Sequence, residues 1–317
     1  MTPDAEAVLP IPRGFDLRES FVMQRVGRFD PTARLESTRF VKAARTPEGT
    51  VTIEIVVDVA SARADVRAWG AGTAWTMPRV SAWLGNDDDL TAFTPPPGLV
   101  AKIARDHRGL RLPRSPFPHE IHAALILQQR VTWGEAAGQY GRLAVDYGED
   151  APGPHGLRVF PDRRVLAGLP RHTYLARGID AKRGGALVEA MRLASRVDAL
   201  PTFEEARAYL MKIPGTGPWT SENLLASAFG DPDAVSPGDA NLPHMVCWAL
   251  AGETFGSDER MFELLEPYRG QRNRVVRLLF LGAPTRPYVD RGLNQAIAHR
   301  DLVTRPRIGK PPLGRPR

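Results

Sequence analysis

The stretch "KIPGTGPWTSENLL", from Lys212 to Leu225, puts two glycines and two prolines into the five residues from Pro214 to Pro218. Helix-compatible sequence flanks it, "EEARAYLMK" before and "WTSENLLASAF" after, so it reads as helix, tight turn, helix. Gly215 and Gly217 admit backbone conformations closed to other residues and let another backbone come close. Pro218 suits the first position of a helix, where its missing N–H is no loss. The amides at the start of the second helix are then left to face an anion. Donors of this kind position a phosphate without reading bases. Taken alone, the turn is equally well explained as an ordinary αα-hairpin with a glycine-rich loop.

The 317-residue chain is 43% hydrophobic, ordinary for a globular protein of about two domains. No run reaches the roughly 20 apolar residues that cross a bilayer, and no secretory signal opens the chain, so a cytoplasmic protein with no membrane partner is expected. Cys247 is the single cysteine, which excludes an intramolecular disulfide and a cysteine-ligated zinc or iron–sulfur site. Net charge is +6 and the pI about 9.7, which favours a polyanionic partner. Only five of the 42 basic residues are lysine, namely 42, 102, 182, 212 and 310. Codon bias contributes to such arginine excess, so basicity by itself is weak evidence.

Residues 32 to 70 read as β structure: "ARLESTRFVKAA" and "TVTIEIVVDVA" alternate or run apolar around the turn "RTPEGT". "TMPRVSAWLG" suggests a short helix, and the acidic "NDDDLTAF" a helix start. A small N-terminal antiparallel β/α domain is therefore expected over residues 1–87, within an α+β fold. Helical spacing takes over from Ile121 to Tyr147, with a break suggested at Gly134. Further helices are expected at "FPDRRVLAGL", "DAKRGGALVEAMRLASRV", "TFEEARAYLMK" (capped by Thr202), "LPHMVCWALAG", "DERMFELLEPY" and "RNRVVRLLFLGA". These place an all-α region at 88–304, with the hairpin at about 204–229. Residues 88 to 112 are expected to join the C-terminal helices as one of two lobes. The stretch 305–317 reads as a basic disordered tail.

A second turn, "SPGD" at Ser236 to Asp239, follows the hairpin and precedes a helix. The pair, an "hPGxGxxT"-like hairpin in "IPGTGPWT" and then a glycine/proline loop ending in aspartate, resembles the helix-hairpin-helix DNA glycosylase superfamily. "SPFPHEIHAALILQQRVTWGEAAGQYGRLAVDYG" and "FPDRRVLAGLPRHTYLARGIDAKRGGALVEAMRLA" look like the 3-methyladenine DNA glycosylase II family within it. The resemblance covers about residues 15 to 300, and its β-rich N-terminal part fits as well.

That resemblance implies a monomeric, monofunctional glycosylase of base excision repair. It would flip a damaged base from double-stranded DNA and release alkylated purines such as 3-methyladenine or 7-methylguanine by hydrolysis. It assigns Asp239, in a catalytic loop at 236–239, to stabilise the oxocarbenium-like sugar, where helix-start amides favour an ionised carboxylate. Asp239 also reads as an ordinary helix cap, and the two roles are compatible. Trp219 stands where bifunctional relatives carry a Schiff-base lysine, so no lyase activity is expected, and it is expected to stack on the extruded base beside Gln128. Gly215, Gly217 and Thr220 are the implied DNA contacts, and Lys212, just before the turn, reads equally as a phosphate contact or a solvated charge. Gln129 and Arg130 fall at the family's wedge, which fills the gap left by the flipped base; the same position also reads as a solvent-exposed helix end. No cofactor is required, but the family's hairpin holds a monovalent cation through backbone carbonyls, here Met211, Ile213 and Thr216.

The chain also departs from the family. Asn223 replaces an aromatic pocket residue, Ala240 a tyrosine, and Arg272, Arg274 and Arg277 occupy the closing helix where a second pocket tryptophan is expected. A pocket of this kind leaves two alternatives open: a glycosylase for a deaminated or bulky adducted base, and a non-catalytic DNA-binding module that uses the hairpin alone.

Overall fold

A computed structural model describes residues 1–286; the tail at 305–317 lies outside the described residues. The chain opens with strand β1 (Ala5–Pro10) and the short helix α1 (Leu17–Phe21), followed by a 3₁₀ turn at Val22–Gln24. Strands β2 (Ala33–Leu35), β3 (Arg39–Thr46), β4 (Gly49–Asp58) and β5 (Arg63–Trp69) complete an antiparallel sheet in the order β1-β5-β4-β3-β2. Register sets Phe40 opposite Ile55 and Ile53 opposite Ala68. One face thus gathers Phe40, Ala44, Ile53, Ile55 and Val66 against Phe15, Phe21, Trp83 and Phe117, while Val41 and Ala43 on the other face meet Leu157 and Val159. The sequence reading missed β1. As an edge strand it buries no residue fully, and its place comes from pairing with β5 rather than from a local apolar pattern.

Two short helices, α2 (Thr73–Thr76) and α3 (Val80–Trp83), then lead to "NDDDLTAF". This segment is turn rather than the expected helix start. Three prolines follow at 95–97, and Asp88 is drawn into an ion pair with Arg274 while also accepting the Leu112 amide at 3.0 Å.

The helical part begins with α4 (Leu99–Asp106), α5 (Pro118–Gln128) and α6 (Trp133–Tyr147). The break between α5 and α6 falls at Gln129–Thr132, not at Gly134, which sits in the first turn of α6. The decisive groups are Thr132, whose hydroxyl caps the Glu135 amide, and Arg130, held at φ +61. A two-strand ribbon of β6 (Glu149–Asp150) and β7 (Arg158–Val159) precedes α7 (Arg163–Gly168), α8 (Arg171–Leu175), α9 (Ala181–Val197), α10 (Phe203–Leu210) and α11 (Pro218–Leu224). After α11 the chain widens into a π-helical turn at Leu225–Phe229, then forms α12 (Leu242–Ala251), α13 (Asp258–Leu265) and α14 (Arg272–Gly282).

The helices divide into two groups, each with its own core. Residues of α5, α6, α9, α10 and α11 share one, including Leu125, Leu187, Leu210 and Leu224. Val100, Ile103 and Leu110 join Val246, Met261, Val275 and Leu279 in the other, as expected for residues 88 to 112. The sheet is tied to the first group through Lys42, whose ammonium lies 2.7 Å from Glu120 of α5 and donates to Thr32 Oγ1 at 2.7 Å. The turn at Val22–Gln24 is tied to the π-helical stretch, where the Ser227 carbonyl accepts from Gln24 Nε2 at 2.7 Å.

Candidate functional site

The hairpin forms as its sequence predicts. Thr202 caps α10 by accepting the Glu205 amide, Ile213 anchors the turn in the core, and the Thr216 amide closes it on the Ile213 carbonyl at 2.9 Å. Its two glycines do different jobs. Gly215 has φ +83, and a Cβ there would stand 2.3 Å from Ala186 Cβ on α9, so this glycine belongs to the packing of the turn. Gly217 has φ −86 and open space where a Cβ would be, so nothing inside the protein requires it. Its bare backbone faces outward at the start of α11, as a phosphate-approach position must.

Several expected DNA contacts turn inward instead. Thr220 is buried, and its hydroxyl accepts from Gln129 Nε2 at 2.8 Å. The same Gln129 nitrogen donates to the Gly215 carbonyl at 2.9 Å. Gln129 and Thr220 therefore brace the hairpin against the end of α5: both Nε2 hydrogens of Gln129 are spent inside the protein, and the Thr220 side chain is buried. Thr216 is buried too, with its hydroxyl 2.8 Å from His122 Nε2. Burial holds the His122 imidazole down at about 4, so it is neutral at pH 7. Sequence reasoning missed this bracing role; the signal was a histidine on the otherwise apolar face of "IHAALIL". Lys212 and Arg130 remain exposed, Arg130 at the tip of the α5–α6 loop in a left-handed backbone conformation that few arginines adopt.

The loop after the π-helical stretch presents Asp239. Gly238, at φ +72, makes the turn, and its amide donates to Asp258 Oδ2 at 2.6 Å. Asp239 Oδ1 accepts the amides of Asn241 at 2.8 Å and Leu242 at 2.9 Å, where α12 begins. Its Oδ2 accepts the Trp219 indole N–H at 2.8 Å. Three donors thus fix a half-buried carboxylate, and the third comes from the hairpin helix 20 residues earlier. Asn223, in turn, donates to the Trp219 carbonyl at 2.8 Å.

A cleft of about 1390 Å³ runs between these parts. The hairpin, Gln128 to Trp133, the Asp239 loop, and Asn273 and Arg277 of α14 all line it. Lys182, at the start of α9, lines it as well, so Lys212 is not the only lysine near the hairpin. Sequence distance hid Lys182, because α9 meets the turn through tertiary contacts such as Gly215–Ala186. The three arginines of α14 have separate fates. Arg272 pairs with Asp233, Arg274 with Asp88, and Arg277 donates Nη2 to the Glu19 carbonyl at 2.7 Å. Among the described residues, no cluster of histidine, cysteine, aspartate or glutamate is suited to a metal ion, and no helix is long and apolar enough to cross a membrane. Carbonyls on the hairpin are another matter: that of Ile213 accepts one hydrogen bond, which leaves a lone pair for a cation.

No family model matches the chain. A curated relative, the probable bifunctional transcriptional activator/DNA repair enzyme AlkA of Mycobacterium tuberculosis, is 33% identical over 163 residues, which are 50% of this chain and 31% of the relative. The match thus spans less than a third of that relative's length. Among solved structures, 3-methyladenine DNA glycosylase from Archaeoglobus fulgidus superposes with a TM-score of 0.70 at 16% identity, covering 87% of this chain and 98% of its own. The 8-oxoguanine glycosylase/lyase of Clostridium acetobutylicum in its apo form gives 0.63 at 14% identity, over 89% and 100%. Over nearly nine-tenths of its length, this chain has the fold of the DNA glycosylases.

Proposed function

We propose that the chain is a DNA N-glycosylase that binds double-stranded DNA, takes a damaged base into the cleft and releases it by hydrolysis, leaving an abasic site. The observation that carries this reading is Asp239: a carboxylate fixed by two helix-start amides and an indole N–H, on the wall of a cleft whose rim is the hairpin. As the C1′–N bond breaks, the sugar develops positive charge. A carboxylate held in advance stabilises that charge without reorganising, and it orients the attacking water. Gly217 and Lys212 meet the phosphates, and Arg130 fills the gap in the duplex. The Met211, Ile213 and Thr216 carbonyls would hold a monovalent cation that strengthens the phosphate contact.

Trp219 occupies the position of the lyase nucleophile, so the enzyme is monofunctional on this reading. Alkylated purines fit a site with one carboxylate, because a cationic base is already a good leaving group. The resemblance of the sequence favours that class, and the relative's name supports a repair role. One observation favours a neutral lesion instead: the Arg277 guanidinium lines the cleft without an ion pair among the described residues.

Asp239→Asn tests the proposal. With a lesion-bearing duplex and mass-spectrometric identification of released bases, single-turnover release should fall by about 100-fold or more, while duplex affinity stays near wild type. Unchanged release would remove Asp239 from the chemistry.

A further inference from the structure

Arg277 is only 9% exposed and lines the cleft. The other buried arginine on α14, Arg274, is held by Asp88, whereas no carboxylate among the described residues lies in salt-bridge range of Arg277. The Glu19 carboxylate lies 2.6 Å from His107 Nδ1 and attracts Arg277 from beyond ion-pair distance, while the direct bond to Arg277 comes from the Glu19 backbone carbonyl. That bond uses Nη2; the remaining guanidinium nitrogens have no protein acceptor among the described residues. Burial pulls the guanidinium down to about 10, which leaves it charged at neutral pH. A buried charge with no ion pair is costly, and Arg277 lines the cleft.

Asn273 stands one helical turn earlier on the same face and lines the same cleft. It is 3% exposed, its Nδ2 donates to the Asp231 carbonyl at 2.6 Å, and its Oδ1 has no protein donor among the described residues. The wall therefore offers a set of donors and one acceptor, the pattern that reads the edge of a nucleobase. It lines the same cleft as Asp239 and Leu242, whose amide is one of those holding the Asp239 carboxylate.

We propose that Arg277, with Asn273, holds the base that is released, and that this base is neutral and presents a carbonyl or ring-nitrogen acceptor to Arg277. The inference rests on the glycosylase reading of the cleft and narrows its substrate class. Stacking on Trp219 serves neutral and cationic bases alike, but the charge of Arg277 separates them. At ~6 Å and an effective dielectric of ~20, like charge weakens binding of a cationic base by on the order of 100-fold.

The same charge assists departure of a neutral base. When the C1′–N bond breaks, its electron pair stays on the base nitrogen, and Arg277 hydrogen-bonds the anion that results. The sugar cation, facing Asp239, takes up water at C1′ and loses a proton. The base gains one from solvent, so the sum is base–sugar plus water to free base plus hydroxylated sugar. A cationic base leaves neutral and needs no such donor.

The test uses the full-length protein and three duplexes bearing hypoxanthine, 8-oxoguanine or 7-methylguanine at one position. The expected result is faster release, corrected for spontaneous loss, of at least one neutral base than of 7-methylguanine. Arg277→Gln should slow that neutral release by on the order of 100-fold and raise release of 7-methylguanine; Arg277→Lys should keep the wild-type order. Wild-type protein that prefers 7-methylguanine to both neutral bases overturns the inference and leaves the glycosylase reading standing, and this comparison holds even if a variant does not fold. Equal slowing of all three by Arg277→Gln, in a variant with wild-type thermal stability, would make Arg277 a brace through Glu19 and also overturn it. No release from any duplex would overturn both readings.

Discussion

The two glycines of the hairpin should separate folding from DNA binding. Gly215→Ala puts a methyl group 2.3 Å from Ala186 Cβ and 3.0 Å from Ala186 Cα, at a φ of +83. The left-handed backbone costs about 1–2 kcal/mol for a residue with a Cβ, and forcing an extra carbon into a packed contact costs roughly 1–3 kcal/mol. The sum, about 2–5 kcal/mol, should appear in urea denaturation as a lower midpoint at unchanged slope. Pairing it with Ala186→Gly should return part of the loss, because the Cβ–Cβ clash disappears, although glycine inside α9 costs about 1 kcal/mol by itself. Gly217→Asp has the opposite profile. Its Cβ enters open space at φ −86, in the N-cap position of α11, where aspartate is at least as good as glycine. Stability should hold or rise by a few tenths of a kcal/mol, while affinity for any duplex, read by fluorescence anisotropy, falls because a charged group blocks the phosphate. A Gly215→Ala protein as stable as wild type would refute the packing argument. Wild-type duplex affinity in Gly217→Asp would show that the hairpin does not anchor DNA.

Trp219→Phe keeps a ring in place but removes the indole donor to Asp239; losing a hydrogen bond to a charged group costs roughly 1.5–3 kcal/mol, so single-turnover release should slow by about 10- to 100-fold, and an unchanged rate would make the indole N–H incidental. Borohydride should trap no covalent protein–DNA complex, since neither Lys182 nor Lys212 occupies the position of Trp219; a crosslink lost in Lys182→Ala or Lys212→Ala would establish lyase chemistry. His122 has a folded value depressed to about 4, so below the unfolded value of ~6.5 only the unfolded state takes up its proton, and its contribution to stability falls as pH drops through that window. Burial pulls the His119 imidazole down as well, but the charge and hydrogen bond of Asp198 more than offset this, so His119 acts in the opposite direction. His122→Gln should therefore flatten the acid limb relative to wild type, measured by thermal melts from pH 7 to 4; an identical limb would exclude His122 as its source.

The sequence by itself determined the hairpin, the Asp239 loop and the α+β organisation. Each of these is written in local chemistry: glycine and proline at fixed offsets, a Thr202 cap, alternating apolar strands. Local chemistry also misled where a distant partner outweighed it. "NDDDLTAF" has the composition of a helix start, yet Asp88 is taken by Arg274 from the far end of the chain. Gln129 has the amide donors of a DNA contact but gives both to the protein, to Thr220 Oγ1 and the Gly215 carbonyl. The pairing of Trp219 with Asp239 joins two motifs that the sequence showed separately. Only the tertiary structure sorted the arginines of α14, because charge along a sequence says nothing of which counter-ion folding brings near. Two of them meet aspartates and are neutralised; Arg277 meets a backbone carbonyl and lines the cleft, and the proposed base contact rests on that difference.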